Sequence, residues 1–193
     1  MRIPCRCRHL PTLLAVTLAM GCARRRATSR TPSDVTPRRT LPADSVFILE
    51  ATGDPPSDTV VRLGNGARHA VVLRHAASDR AAFAVVEFGD SAFGAGDSVD
   101  VTFHARPGVY GLDIASSRPI REGTITFKYA RHFQAPAAAR ERYGSDARFE
   151  HELAVGRLDD AGTIILLPTR RPTSDNVSAA LDGPGSYVVA SPK

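Results

Sequence analysis

Short segments in which apolar and polar residues alternate follow one another from residue 45 to the end of the chain. In the clearest of them, Val99, Val101 and Phe103 alternate with Asp100 and Thr102. A period of two is typical of a β-strand with one buried face. Comparable segments predict strands over residues 45–50, 59–63, 69–75, 82–88, 99–103, 110–114, 125–129, 149–155, 163–167, 177–181 and 187–190.

Residues typical of turns separate these segments. Gly64-Asn65-Gly66 is predicted to join its flanking strands as a pair, as in a hairpin, and Asp159-Asp160-Ala161-Gly162 is predicted to be another turn. One stretch, Pro136 to Arg142, permits a helix of one or two turns in a loop. About ten short strands with turns between them predict an all-β fold, an antiparallel β-sandwich.

The alternation also predicts which side chains face the core. Phe103 and Phe127 stand at the inward phase of their strands. In the strand over residues 82–88, Phe83 and Val85 are predicted on one face, with Val86 and Phe88 on the other.

The first 22 residues have a different pattern. Arg2, Arg6 and Arg8 precede an apolar run from Leu10 to Met20, which is too short to span a bilayer comfortably. Gly21-Cys22 follows. This segment resembles the bacterial lipoprotein signal, which implies that Cys22 carries lipid and is the mature N-terminus. The implied location is the cell envelope, lipid-anchored on the outer membrane or the periplasmic face.

Some features of this segment depart from that pattern. Ala19 stands where the signal usually has leucine, Met20 is large, and Arg24 to Arg26 follow the cysteine directly. A positive run after the apolar segment can hinder export. The alternatives are therefore a signal without lipid, an uncleaved anchor, or a chance apolar stretch in a cytosolic protein.

Residues 23–42 are rich in Arg, Thr, Ser and Pro and have no apolar periodicity. This composition predicts a disordered linker. The predicted organisation is thus a lipoprotein signal over residues 1–22, a linker over 23–42 and a single β-sandwich domain over 43–193.

The positive charge of the chain is concentrated before the predicted domain. Residues 1–39 hold nine arginines and one acidic residue, Asp34, whereas the rest holds 16 basic and 19 acidic residues. A nucleic-acid partner is not expected, because binding phosphates requires a basic face. The arginines after Cys22 suit either anionic lipid head groups beside the anchor or a solvated tether.

All three cysteines, Cys5, Cys7 and Cys22, lie in the predicted signal segment. Cys5-x-Cys7 is not interpreted as a metal or redox pair, because cleavage would remove it. The body can form no internal disulfide, so burial alone must stabilise it.

Several segments between Phe83 and Ala190 resemble a ZU5-like domain, an immunoglobulin-like β-sandwich. They are AFAVVEF, GDSVDVTF, the element SRPI followed by GTITFKY, LAVGRLDDAGTIILLP, and residues 177–188. The resemblance covers about 110 residues of the chain. It implies a binding, adhesion or scaffolding module.

Some relatives of such domains cleave themselves at a His-Phe-Ser tripeptide. Here the corresponding stretch is Pro184-Gly185-Ser186-Tyr187, and no histidine precedes Ser186. His132-Phe133-Gln134 has the first two residues but no nucleophile. Self-cleavage is therefore not expected.

The histidines of the body are scattered and form no evident pair. His69 and His75 stand six residues apart, about 20 Å along a strand, which is too far for one metal ion. His151 lies between Glu150 and Glu152, but on a strand these glutamates would face away from it. We therefore expect His151 to be half-buried beside Leu153 in a structural role.

Acidic turns and serines are the remaining candidates. Asp97-x-x-Asp100 and the turn at 159–162 could hold calcium, but an aspartate there more often binds its own backbone. The serines considered as nucleophiles have no histidine and acid at motif spacing; they are Ser91, Ser116 and Ser117.

The sequence therefore predicts an envelope lipoprotein with a non-catalytic binding or structural module and no cofactor or metal. Cys22 is its one assigned site, the site of lipidation. The expected partners are the membrane through the anchor and an envelope protein or glycan. The alternatives are a ligand-binding protein or an enzyme that uses a groove on the sandwich, or a subunit that docks through a strand edge.

Overall fold

The alternating segments form two packed antiparallel β-sheets in a computed structural model, which describes residues 36–76, 78–94, 96 and 98–193. Sheet I has the strand order β1-β12-β11-β15-β8-β7-β4, with β2 pairing the end of β15. Its strands are β1 (Arg39–Pro42), β2 (Val46–Ile48), β4 (Thr59–Gly64), β7 (Ser98–Ala105), β8 (Gly111–Ser116), β11 (Ala154–Leu158), β12 (Thr163–Leu166) and β15 (Gly185–Pro192).

Sheet II has the order β13-β14-β9-β6-β5. Its strands are β5 (His69–Arg74), β6 (Ala82–Phe88), β9 (Gly123–Lys128), β13 (Thr169–Arg170) and β14 (Asn176–Ala180). A separate ribbon pairs β3 (Glu50–Ala51) with β10 (Phe133–Gln134). The helical segments are a 3-10 turn (Ala43–Ser45), α1 (Ala137–Tyr143) and α2 (Asp146–His151). The predicted all-β sandwich is confirmed, with fifteen strands among the described residues instead of about ten.

The core lies between the inner faces of the two sheets. Phe103 from sheet I and Phe127 from sheet II are both buried in it, as their inward phase predicted. Phe88 of β6 packs across this core against Phe103 of β7, with the two ring centroids 6.5 Å apart.

A β-bulge in β6 changes the predicted phase of that strand. Leu73 pairs with Ala84 and Arg74 pairs with Ala82, so Phe83 is the extra residue between them. Phe83 is consequently buried together with Ala84, Val86 and Phe88, whereas Val85 is only partly buried. The prediction that Phe83 and Val85 share a face is therefore wrong.

The turn at residues 64–66 connects the two sheets instead of closing a hairpin. β4 lies at one edge of sheet I and β5 at one edge of sheet II, and the two strands do not pair. Each directs alternate apolar side chains into the common core, Leu63 from β4 and Val71 and Leu73 from β5. A crossing between sheets buries both sets of side chains, whereas a hairpin would keep the strands in one sheet.

The strand predicted over residues 149–155 is wrong for its first half, where α2 forms. Ser145 caps this helix by accepting a hydrogen bond from the backbone N–H of Arg148, at 3.3 Å. Phe149 is buried on the inner side of the helix, and His151 at its end is exposed. The predicted one-to-two-turn helix over 136–142 corresponds to α1.

The predicted linker is wrong for its last four residues. Arg39–Pro42 form β1, which pairs in register with β12. Leu41 packs on a small apolar cluster formed by Val46, Ala154, Ile164, Leu166, Val188 and Ala190. Burial of this cluster explains why the segment is ordered despite its polar composition. The rest of the linker up to residue 35, the predicted signal segment and Cys22 lie outside the described residues.

Candidate functional site

The residues selected from the sequence do not come together in a site. His69 is bonded to its own turn, its Nε2 2.7 Å from the carbonyl oxygen of Gly64. His151 is exposed at the end of α2, and its Nδ1 lies 3.6 Å from Glu152 Oε1. The expectation that it is half-buried on a strand is therefore wrong. Asp159 Oδ1 accepts hydrogen bonds from the backbone N–H of Ala161 and of Thr163, which confirms its turn role.

The other candidates also serve local structure. Ser91 donates to Glu122, while the hydroxyl oxygens of Ser116 and Ser117 each accept a backbone N–H bond. Asp100 is ion-paired to Arg62, and Asp97 lies outside the described residues. Within the described ranges, no group of three or more His, Cys, Asp or Glu side chains is placed to hold a metal ion.

The fold does assemble a histidine pair that sequence spacing did not reveal. The ring centroids of His75, directly after β5, and His132, directly before β10, are 4.2 Å apart. The bulged Phe83 packs edge-on against His75 and stacks on Tyr110 at 5.2 Å. The expectation that the histidines form no evident pair is therefore wrong.

His75 is buried, and one hydrogen bond determines which of its ring nitrogens carries the proton in the neutral form. Its Nδ1 lies 3.0 Å from the carbonyl oxygen of Asp54, and only a protonated nitrogen can donate to that oxygen. In the neutral ring the lone pair is then on Nε2, which is buried and has no hydrogen-bond partner among the described residues. Burial lowers the pKa of His75 below its ordinary value, and neighbouring His132 lowers it further, whereas the bond to Asp54 opposes the shift.

His132 connects this pair to the loop between β5 and β6. Its Nε2 lies 3.4 Å from Asp79 Oδ2, and the other carboxylate oxygen accepts the backbone N–H of Ala81. That backbone bond is the main reason why the pKa of Asp79 is below its ordinary value. A Cβ on Gly53 would lie 2.9 Å from His132 Nδ1, so the close approach of this segment requires glycine.

An open cleft of about 570 Å³ lies beside His75, next to the edges of β4 and β5. We name it the arginine cleft, since Arg74 and Arg80 line it and no carboxylate does. The remaining lining residues are Pro56, Ser57, Thr59, Val72, Leu73, His75, Ala76 and Ser78. Within the described part of the chain, neither arginine has an acidic partner within 4.0 Å.

Arg80 is held in an unusual backbone conformation. Its φ is 47°, and among the described residues it is the single non-glycine residue with a positive φ. Its carbonyl oxygen accepts a hydrogen bond from Arg74 Nη1 at 3.1 Å, which joins the two arginines. Strained residues of this kind cluster at ligand and active sites.

A second cleft of about 420 Å³ also has His75 in its wall. Its charged and polar lining is mixed and consists of Lys128, Arg131, His132, Thr173, Asp175 and Asn176. His75 therefore separates two polar clefts, and the loop of Asp79 and Arg80 borders the arginine cleft.

The buried His75 should make the stability of the domain depend on pH. The unfolded chain binds the proton near pH 6.5, whereas folded His75 binds it at lower pH. The free energy of unfolding should therefore decrease as the pH falls from about 6.5 through the folded-state pKa. Urea unfolding at a series of pH values measures this decrease.

His75→Asn should flatten this decrease, because asparagine does not titrate. The same change at exposed His151 is the matched control and should leave the wild-type pH dependence in place. An equally steep decrease in the His75→Asn protein would show that His75 is not the group responsible.

No helix in the described part of the chain is long and apolar enough to cross a membrane. Comparison with protein-family models, with curated proteins and with solved structures finds no match to this chain.

Proposed function

We propose that this protein is a membrane-anchored envelope lipoprotein whose β-sandwich is a non-catalytic module that binds an acidic saccharide in the arginine cleft. The observation that carries the proposal is the pairing of Arg74 and Arg80 in one cleft that no carboxylate lines. Uncompensated guanidinium groups beside a cleft favour an anionic ligand.

The other lining groups favour a saccharide carboxylate over a bare ion. A guanidinium group binds a carboxylate through two parallel hydrogen bonds. Ser57, Thr59 and Ser78 line the same cleft, and their hydroxyl oxygens can accept hydrogen bonds from sugar hydroxyls. The Thr59 hydroxyl itself donates to the carbonyl oxygen of Ser57 at 3.0 Å. Val72, which is 45% exposed, adds an apolar surface for the face of a sugar ring.

A binding role is supported over catalysis by the surroundings of the histidines. In the described residues, neither His75 nor His132 is hydrogen-bonded to a hydroxyl group. An imidazole that activates a nucleophile must lie within hydrogen-bond reach of it. The resemblance of residues 83–190 to a ZU5-like sandwich, which implies a binding, adhesion or scaffolding module, favours the same role.

The position of the cleft suits a protein tethered at its N-terminus. The described chain begins beside β1, whereas β4 lies at the opposite edge of sheet I. Six strand spacings separate these edges, about 29 Å at the usual distance between strands. The arginine cleft, lined by the start of β4, is thus remote from the point where the chain leads to the proposed anchor.

Calorimetric titration of the full-length protein with a trisaccharide of galacturonic acid tests the binding proposal. We expect binding of this probe, weakened by added salt, and no binding of a neutral glucose trisaccharide. Changing both Arg74 and Arg80 to alanine should weaken binding by at least about tenfold, because charge-assisted hydrogen bonds are lost.

Arg142→Ala is the matched control, since Arg142 is an exposed arginine at the end of α1, outside the cleft. It should bind the acidic probe as the wild type does. Equal binding of the neutral trisaccharide, or wild-type affinity in the double variant, would contradict the proposal. Capture of an envelope protein that competes for the same arginines would assign the cleft to a protein partner instead.

A further inference from the structure

The outer edge of sheet I at β4 presents a complete strand for pairing. β4 pairs with β7 on one side, and its other side has no strand partner among the described residues. The strand has six residues. None of them is proline, a residue that would interrupt pairing with another strand. Val60, at its second position, is 68% exposed, the highest value among the large apolar residues described.

On the exposed face of this edge, Val60 lies between an acidic and a basic residue. Asp58, Val60 and Arg62 occupy every second position and therefore share one face. Asp58 contacts His104 at 2.5 Å, and Arg62 forms two hydrogen bonds to Asp100, at 2.8 and 2.9 Å. Along this edge, Asp58 lies two residues before Val60 and Arg62 lies two residues after it.

We propose that two copies of this chain pair through their β4 edges, antiparallel and with Val60 opposite Val60. In this register Arg62 of each copy stands opposite Asp58 of the other. On either side of the central Val60 pair, a row of four side chains then runs across the β7 and β4 strands of both copies. It contains His104 and Asp58 of one copy, followed by Arg62 and Asp100 of the other. Arg62 then lies between Asp58 and Asp100 in this row, and the central row is Thr102, Val60, Val60 and Thr102.

The charge pattern selects this register from its neighbours. Opposite residues of an antiparallel pair share a face, so a shift by one residue would set exposed side chains against core-facing ones. The symmetric register centred on residue 62 puts Arg62 opposite Arg62, and the one centred on residue 58 puts Asp58 opposite Asp58. The registers centred on residues 59 and 61 also keep the exposed faces together, but they set Val60 opposite Asp58 and opposite Arg62, respectively. Among these two-fold registers, the one centred on Val60 alone brings Asp58 opposite Arg62.

The neighbouring edge β5 lacks this complementarity. Its exposed positions are Ala70, Val72 and Arg74, and centring the pair on Val72 sets Ala70 opposite Arg74. No acidic residue of the second copy would stand opposite Arg74 there, because Glu87 lies one strand further away, beside Ala70. A second copy therefore fits β4 better than β5, and Val72 provides a matched control position.

The face of β4 that carries the paired charges is not the face that lines the arginine cleft. Ser57 and Thr59, which line that cleft, are the alternate positions of the same segment, on the opposite face from Asp58 and Val60. If the chain is anchored in a membrane, confinement raises the effective concentration of the copies and favours the dimer.

Disulfide cross-linking of the full chain in its native membranes tests the dimer. Val60→Cys should yield a covalent dimer on mild oxidation, because the two side chains face each other at cross-strand distance. Val72→Cys, also exposed and on an edge strand, should cross-link at least about tenfold more slowly. The thiols of two such copies are not held together by the proposed pair and meet only by random collision. The wild-type chain, with Cys5, Cys7 and Cys22, gives the background.

Charge exchange in the Val60→Cys background tests the register. Arg62→Asp copies and Asp58→Arg copies should each lose cross-linking by about tenfold, because like charges then face each other twice in the symmetric pair. A mixture of the two should regain it, because the two acidic side chains at positions 58 and 62 of one copy then face the two arginines at positions 62 and 58 of the other. The regained signal also shows that both variants fold.

Three results would overturn the proposal. Equal cross-linking at residues 60 and 72 would indicate random collision. Cross-linking of residue 60 to a different protein would assign the edge to another partner. Failure of the mixed charge variants to recover would exclude the register centred on Val60.

Discussion

Replacing Phe127 with alanine should reduce the free energy of unfolding by about 3–5 kcal/mol. Phe127 is fully buried at the centre of sheet II, where β9 lies between β6 and β14. Its ring packs edge-on against Phe83 at 5.9 Å, so truncation leaves a cavity in the core between the sheets. Equilibrium unfolding in urea measures the loss.

Val72→Ala is the control for this change. Val72 is 45% exposed at an edge of the same sheet, and its truncation should alter the free energy of unfolding by no more than about 0.5 kcal/mol. With no cysteine after Cys22, the body has no disulfide to offset the loss at Phe127. A loss below about 1 kcal/mol at Phe127 would contradict its assignment to a tightly packed core.

The burial of Phe103 and Phe127 could be predicted because side-chain alternation is a local property of a strand. Each lies in a segment whose polar residues occupy the intervening positions, so the phase can be determined without knowing the partner strand. Phe83 shows where this inference fails. A bulge adds one residue relative to the partner strand, and the sequence of β6 alone does not indicate it.

The helix α2 was missed because its sequence satisfies two patterns. Phe149, His151 and Leu153 alternate with glutamates, which suggested a strand. Ser145 before Asp146 is also a helix N-cap signal, and the structure shows that this signal prevails. The cap, together with burial of Phe149 on the inner side, outweighs a short run of alternation.

The histidine pair depends on long-range topology. His75 and His132 come from the end of β5 and the start of β10, and spacing along the chain carries no information about their contact. The arginine cleft has the same origin, because it borders two strands that were predicted to pair as a hairpin. A four-residue connection is compatible with both a hairpin and a crossing between sheets, and burial of both strands decides between them.

Replacing Cys22 with serine should move the protein from the membrane fraction to the soluble fraction. Gly21-Cys22 after the apolar run from Leu10 to Met20 is the feature that predicts lipid attachment. Each methylene of an attached acyl chain that enters the bilayer contributes about 0.8 kcal/mol to membrane binding. Loss of the attachment should therefore outweigh any attraction of Arg24 to Arg26 to anionic lipid.

Fractionation of cells, combined with metabolic labelling by a radioactive fatty acid, measures this change. Cys7→Ser is the matched control, because Cys7 lies in the segment that cleavage would remove. It should leave both the label and the membrane location as in the wild type. A Cys22→Ser protein that stays in the membrane without label would indicate an uncleaved anchor. An unlabelled wild-type protein would show that Cys22 carries no lipid.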